Sequence, residues 1–324
     1  MKNGILNINK PAGMTSHDVV YKVRKVLGIK RVGHTGTLDP MATGVLPVCV
    51  GTAARITEYL DLDFKVYRCT MLLGKVTDTQ DIWGEILEEK STDGIDEKAV
   101  REAFSSFSGL ITQKPPMYSA VRVNGRRLYE YAREGKQVDV KTRKVFIRSL
   151  QILNFNSSEK TVEFEIECSK GTYIRTVCQD VGIALGCGAV MTSLQRTASG
   201  VFRTEDALDL DKFCSMTAKE AEEMMHNADY PLVHFGRVTV DDKTARSFAD
   251  GRHLPLSECT VEREPEFKDK LPQIEIRPEY RKAYNVYQRR SGGNIFLGVA
   301  FYNDKYKKLV ADKVLVRGED IESI

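Results

Sequence analysis

Gly36-Thr37-Leu38-Asp39-Pro40-Met41-Ala42-Thr43-Gly44-Val45-Leu46 sets a single carboxylate among glycines, a proline and small hydroxyl residues. That composition describes a tight loop shaped by its backbone, not a solvated charge. Gly36 and Gly44 admit conformations closed to other residues, and Pro40 stiffens the chain after the acid. Such a loop holds one carboxylate in one place, as a nucleophile requires. An Asp-Pro pair is more commonly a plain turn between two strands, and composition alone favours that reading.

Outward from the loop, residues 4–9 alternate as a short strand ending at Lys10-Pro11-Ala12-Gly13. Ser16 can cap a helix over 17–27, with Val19, Val20, Val23 and Leu27 as its apolar stripe and Gly28 as its stop. Val45–Val50 and Lys65–Leu73 read as strands, and Asp96 caps a helix running to Phe107. Val162, Phe164, Ile166 and Cys168 alternate with polar residues as a half-buried strand. The turn Lys170-Gly171-Thr172 then leads into a helix carrying Ile174, Val177, Val181 and Leu185. Strands and helices in irregular order, with no repeating βαβ unit, predict an α+β fold. Its sheet is expected to be mixed, mainly antiparallel and flanked by helices.

The texture changes after Phe202. An acidic, helix-prone stretch at 205–229 ends at Tyr230-Pro231, and residues 242–250 read as a short helix closed by Gly251. Ile295–Phe301 and Lys308–Val316 read as strands joined at Asn303-Asp304. The expected division is a first domain over 1–235 and a small β-rich domain over 236–324. Residues 257–293 are dense in charge and poor in apolar periodicity, and read as an insertion or mobile loop.

No apolar run reaches membrane-spanning length, and the first residues lack an h-region and cleavage site, so neither membrane nor leader is expected. Seven scattered cysteines without a C-x-x-C pair suit a reducing cytoplasm, and the five histidines have no metal-ligand spacing. The net charge of +3 conceals two basic blocks. Residues 1–60 hold eight Lys/Arg against three Asp/Glu, and residues 114–148 hold ten against three. Tyr118, Tyr129 and Tyr131 lie within the second block, a mixture suited to a phosphate backbone and unstacked bases.

Neither a phosphate loop nor a dinucleotide fingerprint is present. The chemistry is therefore expected to fall to side chains, with Asp39 as nucleophile, base or acid. A lone buried carboxylate needs a cation to stay ionised. Arg175 sits in the first turn of its helix, where the dipole disfavours it. A two-pronged pair with Asp39 would hold it there; an exposed arginine is the other possibility.

The Asp39 loop resembles the G-x-L-D-P-x-A-T-G-x-L motif of the TruB family of tRNA pseudouridine synthases. Lys10–Asp18 is similar to that family's K-P-x-G-x-T-S box, and Tyr67 stands where it has an active-site tyrosine. Thr77-Asp78-Thr79-Gln80-Asp81 with Gly84 resembles its T-D-T-x-D segment. Gln113–Ala120 with Leu128–Arg133, Cys168–Arg175, and Ser193-Leu194-Gln195-Arg196-Thr197 match three further motifs. The matches run in order over residues 4–202.

The resemblance implies a stand-alone enzyme that turns uridine 55 of the tRNA T-arm loop into pseudouridine, with no cofactor, metal or protein partner. The target base must leave its stack before Asp39 can reach it. By resemblance, Asp39, Tyr67 and Arg175 are catalytic, with Tyr67 stacking on the base and assisting proton transfer at C5. His34 fills the space left by flipped bases, and Leu194 walls the pocket. Lys10, Thr37, Leu38, Pro40, Asp81 and Tyr173 are implied as further substrate contacts. The C-terminal part resembles the small PUA-type barrel that binds RNA. One departure is Arg122, where the family often has lysine. A cytoplasmic monomer is expected.

Two other classes remain. A non-catalytic RNA-binding or remodelling protein explains the basic blocks but gives no reason for the Asp39 loop. A glycosidase needs a second acid, for which Asp78 or Asp81 could stand.

Overall fold

The computed structural model describes residues 3–267, 276–316, Gly318 and Ile321. The chain opens with β1 (Gly4–Lys10), α1 (Ser16–Leu27), β2 (Val32–His34), β3 (Thr43–Val50) and β4 (Lys65–Leu73). A two-stranded hairpin, β5 (Lys75–Thr77) and β6 (Ile86–Glu89), precedes α2 (Glu97–Ser105) and β7 (Gly109–Gln113). The second basic block forms the short hairpin β8 (Arg122–Val123) and β9 (Arg126–Arg127), then α3 (Leu128–Arg133) and the start of β10 (Arg143–Asn156). After β11 (Thr161–Cys168) come α4 (Ile174–Ala184), β12 (Ala189–Ser199), β13 (Phe202–Arg203) and β14 (Leu208–Asp209).

The main sheet has ten strands in the order β14-β1-β3-β12-β4-β11-β10-β7, with β13 on β12 and β2 on β3. Only β1 with β14 and β3 with β12 run parallel, so the sheet is mixed and mainly antiparallel, as expected. Alternation explains its buried face: Val162, Phe164 and Ile166 of β11 are fully buried, and Phe164 meets Phe104 of α2 edge-on at 5.2 Å. Burying each such side chain contributes about 2 kcal/mol.

Thr15, not Ser16, caps α1, in a reciprocal capping box with Asp18. The Ser16 hydroxyl is committed elsewhere. It accepts from the Leu38 amide at 2.9 Å and donates to the Leu38 carbonyl at 3.2 Å. The residue beside the cap therefore pins the Asp39 loop. The expected helix at 205–229 is two short pieces, α5 (Leu210–Cys214) and α6 (Ala218–Glu223).

A second sheet begins at β15 (Gly236–Val240), followed by α7 (Asp242–Ala249), β16 (Leu254–Pro255), β17 (Thr260–Arg263), β18 (Ala283–Gln288), β19 (Ile295–Asn303) and β20 (Lys308–Val314). Its order is β16-β20-β19-β18-β15-β17. The expectation of a loop over 257–293 is corrected here. Residues 260–263 form an edge strand, and all six residues of β18 are buried inside the sheet. β18 lacks apolar alternation because it buries polar side chains. Asn285 donates to the Leu232 carbonyl at 3.1 Å, and Gln288 donates to Asp242 at 2.8 Å. Residues 268–275 of that stretch lie outside the described residues. Ile5, Val45 and Tyr59 share one apolar cluster with Phe235, Tyr280 and Val299, which joins the two sheets.

Candidate active site

The Asp39 loop links β2 to β3, and every part of it is anchored. Its turn closes through the Ala42 amide on the Asp39 carbonyl at 3.1 Å, and Gly13 donates to the Pro40 carbonyl at 3.0 Å. Lys10, fully buried at the end of β1, donates to the carbonyls of Pro11, Pro40 and Ala42 at 2.8, 3.0 and 2.7 Å. Gly44 has φ of 100°, and a Cβ there would lie 2.2 Å from the Arg196 carbonyl, so the parallel pairing of β3 with β12 requires glycine. Gly36 does not need a left-handed conformation. A Cβ there would meet Arg196 Nη1 and Lys65 Cε at 3.4 Å, an ordinary contact, so the expectation that the loop needs a glycine at this position is corrected.

So anchored, Asp39 faces Arg175. Arg175 Nε lies 2.9 Å from Asp39 Oδ2, and Nη2 donates to Oδ1 at 3.3 Å. The rest of the guanidinium is spoken for: Nη1 donates to the Thr79 carbonyl and Nη2 to the Tyr118 carbonyl, each at 2.9 Å. Asp81 Oδ2 stands 3.8 Å from Nη1. The arginine side chain is 5 % exposed and the carboxylate 39 %, so the pair has a dry side and an open side. Ahead of α4, the Tyr173 amide donates to Gln113 Oε1 at 3.0 Å, which fixes the helix start that carries Arg175.

These groups line a cleft of about 500 Å³. Thr37, Leu38, Asp39, Tyr67, Tyr173, Arg175 and Leu194 all face it, with Ser119, Ala120 and the Ser169–Thr172 turn. Among the described residues Asp39 is the one carboxylate on its wall, against the cations Lys65, Arg143, Lys170, Arg175 and Arg196. Such a wall favours a polyanion. Burial pushes the Tyr67 phenol up from its ordinary value, and a hydrogen bond and the charge of Arg196 oppose the rise.

Other expected contacts stand outside the cleft. Lys10 and Pro40 belong to the loop's underside. Asp81 bonds Thr79 Oγ1 at 2.6 Å and the Trp83 amide at 3.2 Å, behind Arg175. His34 ends β2, edge-on to His17 at 5.7 Å, and burial lowers it to about 4, so its ring is neutral at neutral pH. In the basic block, Arg126 lies 4.7 Å over the Tyr131 ring, and Arg133 lies 5.3 Å over Tyr129. The sequence reading assigned no role to Arg196 or to Lys65. The alternation of Leu194, Arg196 and Ala198 on β12, each buried, was the available signal for the first. Among the described residues no cluster of His, Cys, Asp or Glu side chains could hold a metal, and no helix is long and apolar enough to cross a membrane.

Lys10 offers a test of the loop's anchoring. Burial lowers its ammonium from 10.5 to about 8. Between those values the unfolded chain binds more protons than the folded one, so this group makes stability rise with pH across that window. Lys10→Met leaves three carbonyls without their donor and is expected to cost about 2 kcal/mol. The upward slope above about pH 8 should also vanish from denaturant midpoints measured over that range.

Comparison with known proteins adds to this geometry. Residues 24–174 match the family described as TruB family pseudouridylate synthase (N terminal domain). Residues 175–232 match the tRNA pseudouridylate synthase B C-terminal domain. The chain is 39% identical over 314 residues to a Clostridium perfringens protein named tRNA pseudouridine synthase B, covering 97% of this chain and 99% of that one. A protein of the same name from Listeria monocytogenes is 42% identical over 281 residues, covering 84% and 92%. Among solved structures, a chain of a Cbf5-Nop10-Gar1 complex superposes with a TM-score of 0.70 at 22% identity, covering 98% of this chain and 86% of that one. That likeness is one of fold.

Proposed function

The chain belongs to the TruB family of pseudouridylate synthases, and we propose that it isomerises uridine 55 in the T-arm loop of tRNA to pseudouridine. The observation that carries this reading is the Asp39–Arg175 pair, whose open side faces a cationic cleft shared with Tyr67. In the reaction the bond from C1′ to N1 breaks and one from C1′ to C5 forms. The C5 proton is lost and N1 gains one, so composition is unchanged.

Asp39 is the essential carboxylate. Arg175 pairs with it and aims it at a base drawn out of its stack. Tyr67 stacks on that base and takes part in proton transfer at C5. Leu194 and Leu38 exclude water from the intermediate. Thr37, Tyr173, Arg143 and Lys170 contact the nucleotide, while Lys10 and Pro40 act by shaping the loop. His34, neutral and beside His17, packs where bases have left. Asp81 steadies Arg175 from behind. Residues 1–235 form the catalytic unit. Residues 236–324 form a PUA-like module that contacts the RNA outside the target loop. The enzyme works as a cytoplasmic monomer with no protein partner.

A glycosidase is disfavoured because neither Asp78 nor Asp81 reaches the cleft wall. A pure RNA binder gains nothing from two arginine prongs on one carboxylate. The test is an unmodified T-arm stem-loop carrying tritium at uracil C5. Release of label supports the reading, and none with folded, RNA-binding protein overturns it. Tyr67→Phe keeps the ring and loses the oxygen. It is expected to bind RNA normally and to slow turnover about 10²-fold or more, measured by the same release.

A further inference from the structure

Arg196 is 1 % exposed, and among the described residues no carboxylate pairs with it. Burying a cation without a counter-charge is costly, so its donors should serve a purpose. Nε donates to the Val45 carbonyl at 2.7 Å, and Nη2 donates to the Gly36 carbonyl at 3.1 Å. Gly36 lies near the start of the Asp39 loop, and Val45 lies in the strand that follows it. Arg196 and Tyr67 are also cross-strand partners that line the same cleft, so the guanidinium and the phenol share one face of the sheet. Strand register explains the reach: Arg196 stands opposite Tyr67 on β4 and beside Gly44 on β3. β12 therefore runs between the strand that follows the carboxylate loop and the strand that carries the phenol.

We propose that Arg196 is a positioning residue for the isomerisation: one guanidinium closes the neck of the Asp39 loop and lies beside the Tyr67 phenol, setting carboxylate and phenol apart by the thickness of a base. This rests on the roles given above to Asp39 and Tyr67. It also has a chemical consequence. A cation beside the phenol favours the phenolate against the opposing effect of burial, and the phenolate is the form able to take the C5 proton. In that step the C5–H bond breaks, the proton passes to the phenolate oxygen and the electron pair restores the C5=C6 double bond. N1 then takes a proton from solvent.

Arg196→Met and Arg196→Lys separate positioning from mere support of the fold. Single-turnover rates are measured on T-arm stem-loops with protium or deuterium at C5, from neutral to alkaline pH, with RNA affinity and thermal unfolding alongside. Both variants should bind RNA within about threefold of wild type and lose about 10²-fold in rate. The C5 isotope effect should grow in both. In Arg196→Met the rise of rate with pH should move to higher pH, because the phenol has lost its cation. Arg196→Lys keeps the charge and should move less. A folded variant with wild-type rate overturns the proposal. So does a slower one whose isotope effect and pH profile are unchanged, since a structural loss would move neither. If Arg196→Met does not fold, Arg196→Lys decides by its rate and isotope effect. An Asp39→Asn enzyme that still formed pseudouridine would instead overturn the underlying roles.

Discussion

Asp39→Asn should abolish pseudouridine formation while leaving the protein folded and able to bind RNA. Asparagine has the same shape, so the Ala42 amide, Lys10, Ser16 and Arg196 can still hold the loop through its backbone. What disappears is the one negative charge on the cleft wall. Neither nucleophilic attack nor proton abstraction survives on a carboxamide. Removing such a group costs at least about 10⁴-fold in rate. Stability should change by less than about 1 kcal/mol, because the carboxylate is 39 % exposed and solvent screens its attraction to Arg175. Tritium release and RNA affinity measured together check this. Release at more than a trace level would move the essential carboxylate elsewhere, and among the described residues the wall contains no other.

How much of this was legible in the sequence depends on whether the causes were local. The loop's glycine, the α1 stripe ended by Gly28, and the alternation of β11 all arise within a few residues, and they read correctly. The Asp39–Arg175 pair was also legible, because an arginine in the first turn of a helix needs a reason that the helix does not supply. Groups whose role is set by distant backbone were not. Nothing near Lys10 says that its ammonium folds under carbonyls 30 and 32 residues away. Arg196 joins Gly36, Val45 and Tyr67, three points brought together only by strand order. The strand β18 failed for a related reason. Its Asn285 and Gln288 look like surface residues until their partners at Leu232 and Asp242 are in place. Polar residues buried by long-range hydrogen bonds break the alternation on which sequence reading depends.

Arg175→Lys keeps the charge and should still cost about 10² to 10³-fold in the single-turnover rate. The arginine serves two masters. Two of its nitrogens meet the two Asp39 oxygens at 2.9 and 3.3 Å. On its other edge it donates to the Thr79 and Tyr118 carbonyls at 2.9 Å, with Asp81 behind. Those carbonyls come from separate segments, so the guanidinium is held in plane and transmits that position to the carboxylate. A lysine ammonium is a single point on a flexible stem. It can reach Asp39, or it can satisfy the buried carbonyls, but it cannot do both. At Asp39 it leaves two carbonyls unpaired and the carboxylate free to rotate. At the carbonyls it leaves the carboxylate without the pair that aims it. Either way the loss falls on the chemical step, so RNA affinity should stay within about threefold while the rate drops. A wild-type rate in Arg175→Lys would mean that charge alone suffices and that the two-pronged geometry is incidental.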